Sequence, residues 1–152
     1  MNLTDSVVFR RILVAVDGSA TSDHALATAV AMAKAFSAEL RVVHVLEAMT
    51  YLSGFDTGSA LAAAMRRAGD ELVTAALEVA RDSGVKADAM VYERIGPLGE
   101  TVAHAAKLWG ADLVVVGTHG RQGVTRLLLG SGAEQVIRLA PVPVMVVRSD
   151  QA

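Results

Sequence analysis

Asp17 stands at the end of an apolar run, Ile12-Leu13-Val14-Ala15-Val16, and is followed at once by Gly18 and Ser19. A carboxylate placed at such a turn can accept hydrogen bonds from hydroxyl groups, help to hold a divalent cation, or cap the helix that follows. Far downstream a second apolar run, Asp112-Leu-Val-Val-Val-Gly117, opens into Gly117-Thr118-His119-Gly120, and after nine more residues the chain reaches Gly130-Ser131 at the head of an amphipathic stretch. Separated glycines let a backbone approach an anion closely, and a helix N-terminus offers unpaired N–H groups at the positive end of its dipole. Phosphate suits that arrangement. Ser131 adds a hydroxyl, and His119, Arg121 and Arg126 lie between the glycines, where they can offset polyphosphate charge. Asp17 would repel phosphate unless it meets ribose hydroxyls or a cation such as magnesium. Together the two segments describe a nucleotide site.

Positioning these groups requires a scaffold, and the hydrophobic pattern supplies one. The run Ile12–Val16 reads as a buried first strand, and the apolar positions Ala25, Leu26, Ala29, Val30, Ala33 and Phe36 recur at helical spacing within Ser22–Ala38. Leu40–Leu46 is a second strand. Residues 47–57 have no clear period and form a long loop, leading into a helix over about Ser59–Ser83 that stops at Gly84. Val85–Arg94 is a less apolar strand, as an edge strand would be. Leu98–Trp109 is a third helix closed by Gly110, Asp112–Gly117 a fourth strand, Ser131–Leu139 a short helix with Ser131 as its cap, and Val144–Arg148 the last strand. Strands apolar on both faces and separated by helices specify an α/β fold: a doubly wound, five-stranded parallel sheet with helices on each side. The simplest winding gives the order 3-2-1-4-5. The winding then reverses between strands one and four, and ligands bind beyond the carboxyl ends of the strands at that point. Asp17 and the glycine loop both lie there.

Composition bounds the alternatives. A chain of 152 residues, 53% of them hydrophobic, is sized for one domain over residues 1–152, with enough buried surface to need no metal or disulfide staple. It contains no Cys, which excludes thiolate catalysis and cysteine zinc sites and suits the cytoplasm. With 14 basic and 16 acidic side chains it lacks the basic stripe of a nucleic-acid binder. The mean hydropathy of +0.42 is high, yet no apolar run approaches the roughly 20 residues that span a bilayer, and Met1–Arg10 has no signal-peptide pattern. There is no GxxxxGK[ST], no GxSxG and no HExxH; Gly130-Ser-Gly132 begins a GxG, but Gln135 stands where a third glycine would be needed. His44, inside strand two, reads as a structural histidine.

The run Gly117-x-x-Gly120-x9-Gly130-Ser131, between Asp112-Leu-Val-Val-Val and Pro143-Val-Met-Val-Val147, resembles the glycine signature of the nucleotide-binding branch of the universal stress protein family. Ile12-Leu-Val-Ala-Val-Asp17-Gly-Ser19 and the pair His44-Val45 match that family as well, and the resemblance covers about the whole chain. It implies the three-layer sandwich of adenine-nucleotide alpha-hydrolase-like proteins and a homodimer that binds an adenine nucleotide, commonly ATP, with ADP or AMP as alternatives. Carried over by position, it puts Ala15, Val16 and Asp17 beside the nucleoside, with Asp17 near the ribose or a magnesium ion. Val45 and Val116 would bracket the adenine. Gly117, His119, Gly120, Gly130 and Ser131 would surround the phosphates, beside the Arg121 read above from its place in the loop, and Gly132 and Ala133 would complete the helix start. At those last two positions some binding members carry hydroxyl side chains, and this chain does not.

Three function classes follow. One is a nucleotide-loaded stress-response or signalling module that passes its state to protein partners not identifiable from the sequence. A second is a slow ATP-hydrolysing or phosphate-transferring enzyme using the same site, for which no dedicated base stands out. A third is an interaction protein without nucleotide, against which the intact glycine spacing argues. The apolar last strand, with Val144, Met145, Val146 and Val147, leaves an open edge that the same strand of a second copy would cover, in line with the dimer the resemblance implies.

Overall fold

A computed structural model of the chain describes residues 8–47, 60–94, 96–118 and 129–148. Strands and helices alternate along it: β1 (Arg11–Ala15), α1 (Ala20–Phe36), β2 (Glu39–Leu46), α2 (Ala60–Asp82), β3 (Ala87–Glu93), α3 (Leu98–Trp109), β4 (Leu113–Gly117), α4 (Ser131–Leu139) and β5 (Val144–Val147). The strands form one sheet in the order β3-β2-β1-β4-β5, the winding the sequence pattern predicts, and every neighbouring pair is parallel. Ile12 pairs with Leu40 on one side and Leu113 on the other, so β1 is central. β3 and β5 are the two edges.

Because side chains alternate across a strand, the continuous apolar runs feed two cores. Ile12, Val14, Leu40, Val42, Leu113 and Val115 join Ala25, Ala29 and Ala33 of α1 and Val73, Ala76 and Ala80 of α2 on one face. Leu13, Val43, Val114 and Val116 join Val102, Ala105 and Ala106 of α3 and Ala133 and Val136 of α4 on the other. The many alanines let the helices lie close to the sheet. The result is a helix–sheet–helix sandwich.

Helix ends follow local chemistry. α1 begins two residues earlier than its apolar period suggests, because Ser19 is the cap and its hydroxyl accepts the Ser22 N–H. α3 closes on Gly110 at φ 73°, and Gly84, after α2, has φ 82°, the left-handed conformation that favours glycine. At α4 the cap is Gly130 and Ser131 is the first helical residue, correcting the expectation that Ser131 caps the helix. Gly130 contributes no side chain, so the first N–H groups of α4 receive no side-chain cap.

At the amino end of the sheet, far from the strand ends where ligands bind, Arg41 reaches from β2 to Asp88 on β3 through two 2.7 Å hydrogen bonds. Its guanidinium also lies 4.8 Å from the centre of the Trp109 ring. Hydrogen bonding from Arg41 holds the Asp88 carboxyl below its ordinary value and raises Arg41 in turn. Among the described residues no helix is long and apolar enough to cross a membrane.

Candidate functional site

The carboxyl ends of β1, β2 and β4 open into a cleft of about 980 Å³. Ala15, Val16 and Asp17 line it from β1, Val45 from β2, and Val116 and Gly117 from β4. Gly130, Ser131, Gly132 and Ala133 line it from the start of α4. Segments separated by a hundred residues of chain are thus brought together. His119, Gly120, Arg121 and Arg126, and residues 48–57 of the long loop, lie outside the described residues.

The turn that carries Asp17 is fixed by its own side chains. The Asp17 N–H donates to Ser22 Oγ at 3.0 Å, and Asp17 Oδ1 accepts the Ser19 N–H at 2.9 Å. Gly18, at φ 83°, makes the turn possible. Asp17 therefore shapes the turn, while the helix cap is supplied by Ser19. One residue earlier, Val16 donates its N–H to Val43 O at 2.8 Å, and its carbonyl meets His44 Nδ1 at 2.8 Å. A carbonyl only accepts, so the imidazole carries a proton on Nδ1. His44 is the satisfied histidine the sequence suggests, yet it also lines the cleft. It fits because α2 presents Gly69 there: a Cβ at that position would lie 3.0 Å from the imidazole Cδ2 and 2.9 Å from a Leu46 methyl.

The two ends of the glycine-rich segment are pinned to each other. Thr118 donates its N–H to Val147 O at 2.9 Å and accepts the Gly130 N–H at 2.7 Å. Gly117 is required by close approach, since a Cβ would lie 3.0 Å from the Thr21 backbone in the first turn of α1. Ser131, Gly132 and Ala133 occupy the first turn of α4, where N–H groups have no intrahelical acceptor, and they point this uncapped end at the cleft. The arrangement can seat an anion at α4 and a flat, apolar group among Ala15, Val45 and Val116, with Asp17 and the Arg94-paired Glu47 as the lining carboxylates. Among the described residues no group of three or more metal-ligating side chains exists.

Several lining residues are not singled out by the sequence. Arg94 closes the β2–β3 side, donating from Nε to Gly96 O at 2.8 Å and from Nη1 to Glu47 at 2.6 Å. Leu98 and Gln135 line the cleft where α3 meets α4. The only trace of that meeting in the sequence is a pair of glycines inside helices, Gly99 and Gly132.

A family model described as the universal stress protein family matches residues 9–148. A Staphylococcus epidermidis protein named as a universal stress protein is 34% identical over 145 residues, covering 95% of this chain and 87% of its own. In fold, the chain is similar to the hypothetical protein MJ0577, with a TM-score of 0.84, 25% identity, and coverage of 96% of this chain and all of that one. It is similar too to a universal stress protein solved in complex with cAMP, with a TM-score of 0.62, 25% identity, and coverage of 93% and 98%. The match runs from before β1 to just after β5 and includes every element that frames the cleft, so the chain belongs to the universal stress protein family.

Proposed function

We propose that the cleft binds an adenine nucleotide, ATP foremost and ADP or AMP as alternatives, and that the loaded protein acts as a dimeric stress-response and signalling module. The observation that carries this reading is the meeting of the uncapped first turn of α4 with the apolar ends of β1, β2 and β4 in one cleft. The family membership supports it, as does the related protein solved with cAMP.

In this reading Ala15 and Val16 flank the nucleoside, and Val45 and Val116 hold the adenine. Asp17 Oδ1 is engaged by the Ser19 N–H, so a ribose hydroxyl or a magnesium ion would meet Oδ2. With no group of three metal-ligating side chains among the described residues, magnesium would arrive with the phosphates and take Asp17 as the protein's carboxylate. The phosphates lie against Gly117, Gly130, Ser131, Gly132 and Ala133, with His119, Gly120 and Arg121 of the intervening segment. The second copy pairs along β5, whose residues Val144, Met145, Val146 and Val147 are each only partly buried. Ile137 and Leu139 on α4, 46% and 42% exposed, leave apolar surface nearby.

Calorimetric titration with ATP, ADP and AMP tests the reading, on the wild type and on Gly130→Val, which puts a branched side chain at the mouth of the anion seat. Heat with wild type and its loss in the variant is expected; no heat with any nucleotide would refute nucleotide binding. Asp17→Ala should weaken binding by roughly tenfold, the worth of one charged hydrogen bond.

A further inference from the structure

Two glycines inside helices mark a joint between α3 and α4 that the glycine signature does not include. On α3, the Gly99 N–H donates to Gln135 Oε1 at 2.9 Å. A side chain on Gly99 would run into Cβ of Gln135 and come within 2.6 Å of its carbonyl carbon and 2.8 Å of Val136 N. On α4, a Cβ at Gly132 would lie 2.9 Å from Leu98 Cδ2. Each helix thus receives a neighbour's side chain where it has none: Gln135 of α4 over Gly99, and Leu98 of α3 over Gly132. Both contacts fall within the first two turns of the helices, and Leu98, Gly132 and Gln135 all line the cleft.

We propose that Gln135 is a positioning residue of the anion seat: by accepting the Gly99 N–H from the second turn of α4, directly behind the uncapped first turn, it locks the start of α4 to the first turn of α3. The N–H groups of Ser131, Gly132 and Ala133 are thereby held as a fixed set rather than left to fray. α4 has only nine residues and no side-chain cap, so beyond the burial of Ala133 and Val136 and the Gly130–Thr118 hydrogen bond this joint is what holds its start. Leu98 completes the device. It fills the space that a side chain at Gly132 would take, so the second position of the seat works through its backbone alone. Preorganised donors bind a charged group without the cost of ordering them at the moment of contact.

The proposal rests on the nucleotide reading above, and the test separates the two. Gln135→Met keeps the length of the side chain and removes the acceptor. Binding of ATP and of adenosine is measured by calorimetry on both proteins, because adenosine shares the base and ribose but does not touch the anion seat. The ATP-to-adenosine affinity ratio is expected to fall by roughly five- to tenfold in Gln135→Met, with adenosine binding kept within about twofold. Parallel weakening of both ligands, or no change in either, would overturn the positioning role while leaving the nucleotide reading intact. Absence of binding to the wild type would overturn both. A second pair guards against misfolding of the first: Gly132→Ser alone should lower the ratio, and Leu98→Ala in the same chain should restore it. A Gly132→Ser protein whose ratio equals that of the wild type would overturn the role of Leu98.

Discussion

Replacing Gly99 by alanine adds one methyl group in the first turn of α3, and helix propensity alone makes that change favourable by up to about 1 kcal/mol. The packing decides otherwise. The methyl would overlap Cβ of Gln135, and its 2.6 Å and 2.8 Å approaches are to backbone atoms of α4, which cannot rotate away as a side-chain tip would. Relief requires the two helices to separate by roughly an ångström, and overpacking of this kind costs about 1–3 kcal/mol or more. Separation also breaks the Gly99–Gln135 hydrogen bond, leaving a partly buried N–H without its acceptor at a cost of about 1–2 kcal/mol. Set against the propensity gain, the net loss is about 1–4 kcal/mol. For a chain of this length that corresponds to a fall in Tm of roughly 3–15 °C. Thermal melts followed by circular dichroism, with urea unfolding to check that the slope is unchanged, measure it. A Gly99→Ala protein melting within about 2 °C of wild type, or above it, would show that α3 and α4 are not in tight contact and would remove the basis of the joint.

On the proposed β5 dimer, Val146→Asp should give monomers or insoluble protein, because a carboxylate would stand in the apolar interface; an unchanged dimer mass in sedimentation refutes that edge as the interface. At the other end of the sheet, the Arg41–Asp88 pair contributes stability that is fully present above the ordinary carboxylate value of 3.8 and is lost as pH falls through the depressed value of the folded state. The Asp88 side chain is 54% exposed, so solvent screening keeps the contribution under about 1 kcal/mol. Wild type should therefore exceed Asp88→Asn by a small, constant margin at neutral pH, and the margin should close on acidification. Urea titrations read by the fluorescence of Trp109, the sole tryptophan, measure it, and a margin that widens in acid would contradict the assignment.

The strand order and much of the cleft were legible because both follow from short-range pattern. The apolar runs at 12–16 and 113–116, and the largely apolar stretch at 40–46, demand burial on two faces, which a parallel sheet under helices provides. The winding then places Asp17 and Gly117 together without further information. Local chemistry decides what the pattern misjudges: at α1 the Ser19 hydroxyl sets the helix start, and at α4 Gly130 takes the cap position that the pattern assigns to Ser131. The contacts of Leu98, Gln135 and Arg94 were not legible. Each depends on two elements meeting at a particular height, and neither Gly99 nor Gly132 announces which side chain its vacancy receives. His44 shows a partial success, since its bond to Val16 agrees with a structural role, but its place in the cleft wall needs the turn of α2 at Gly69 to be known.

The pairing of β1 with β4 joins Ile12 to Leu113 and Val14 to Val115, and it has a consequence for the order of events during synthesis. The cleft takes Ala15, Val16 and Asp17 from β1 and its anion seat from residues 130–133, so a nascent chain holds no complete cleft until residue 133 has left the ribosome. The first helix and strands must wait with an uncovered sheet edge at β1, a slow and exposed step typical of non-local parallel pairing. A nucleotide bound by this site can therefore select and stabilise only the finished fold and cannot assist any earlier intermediate.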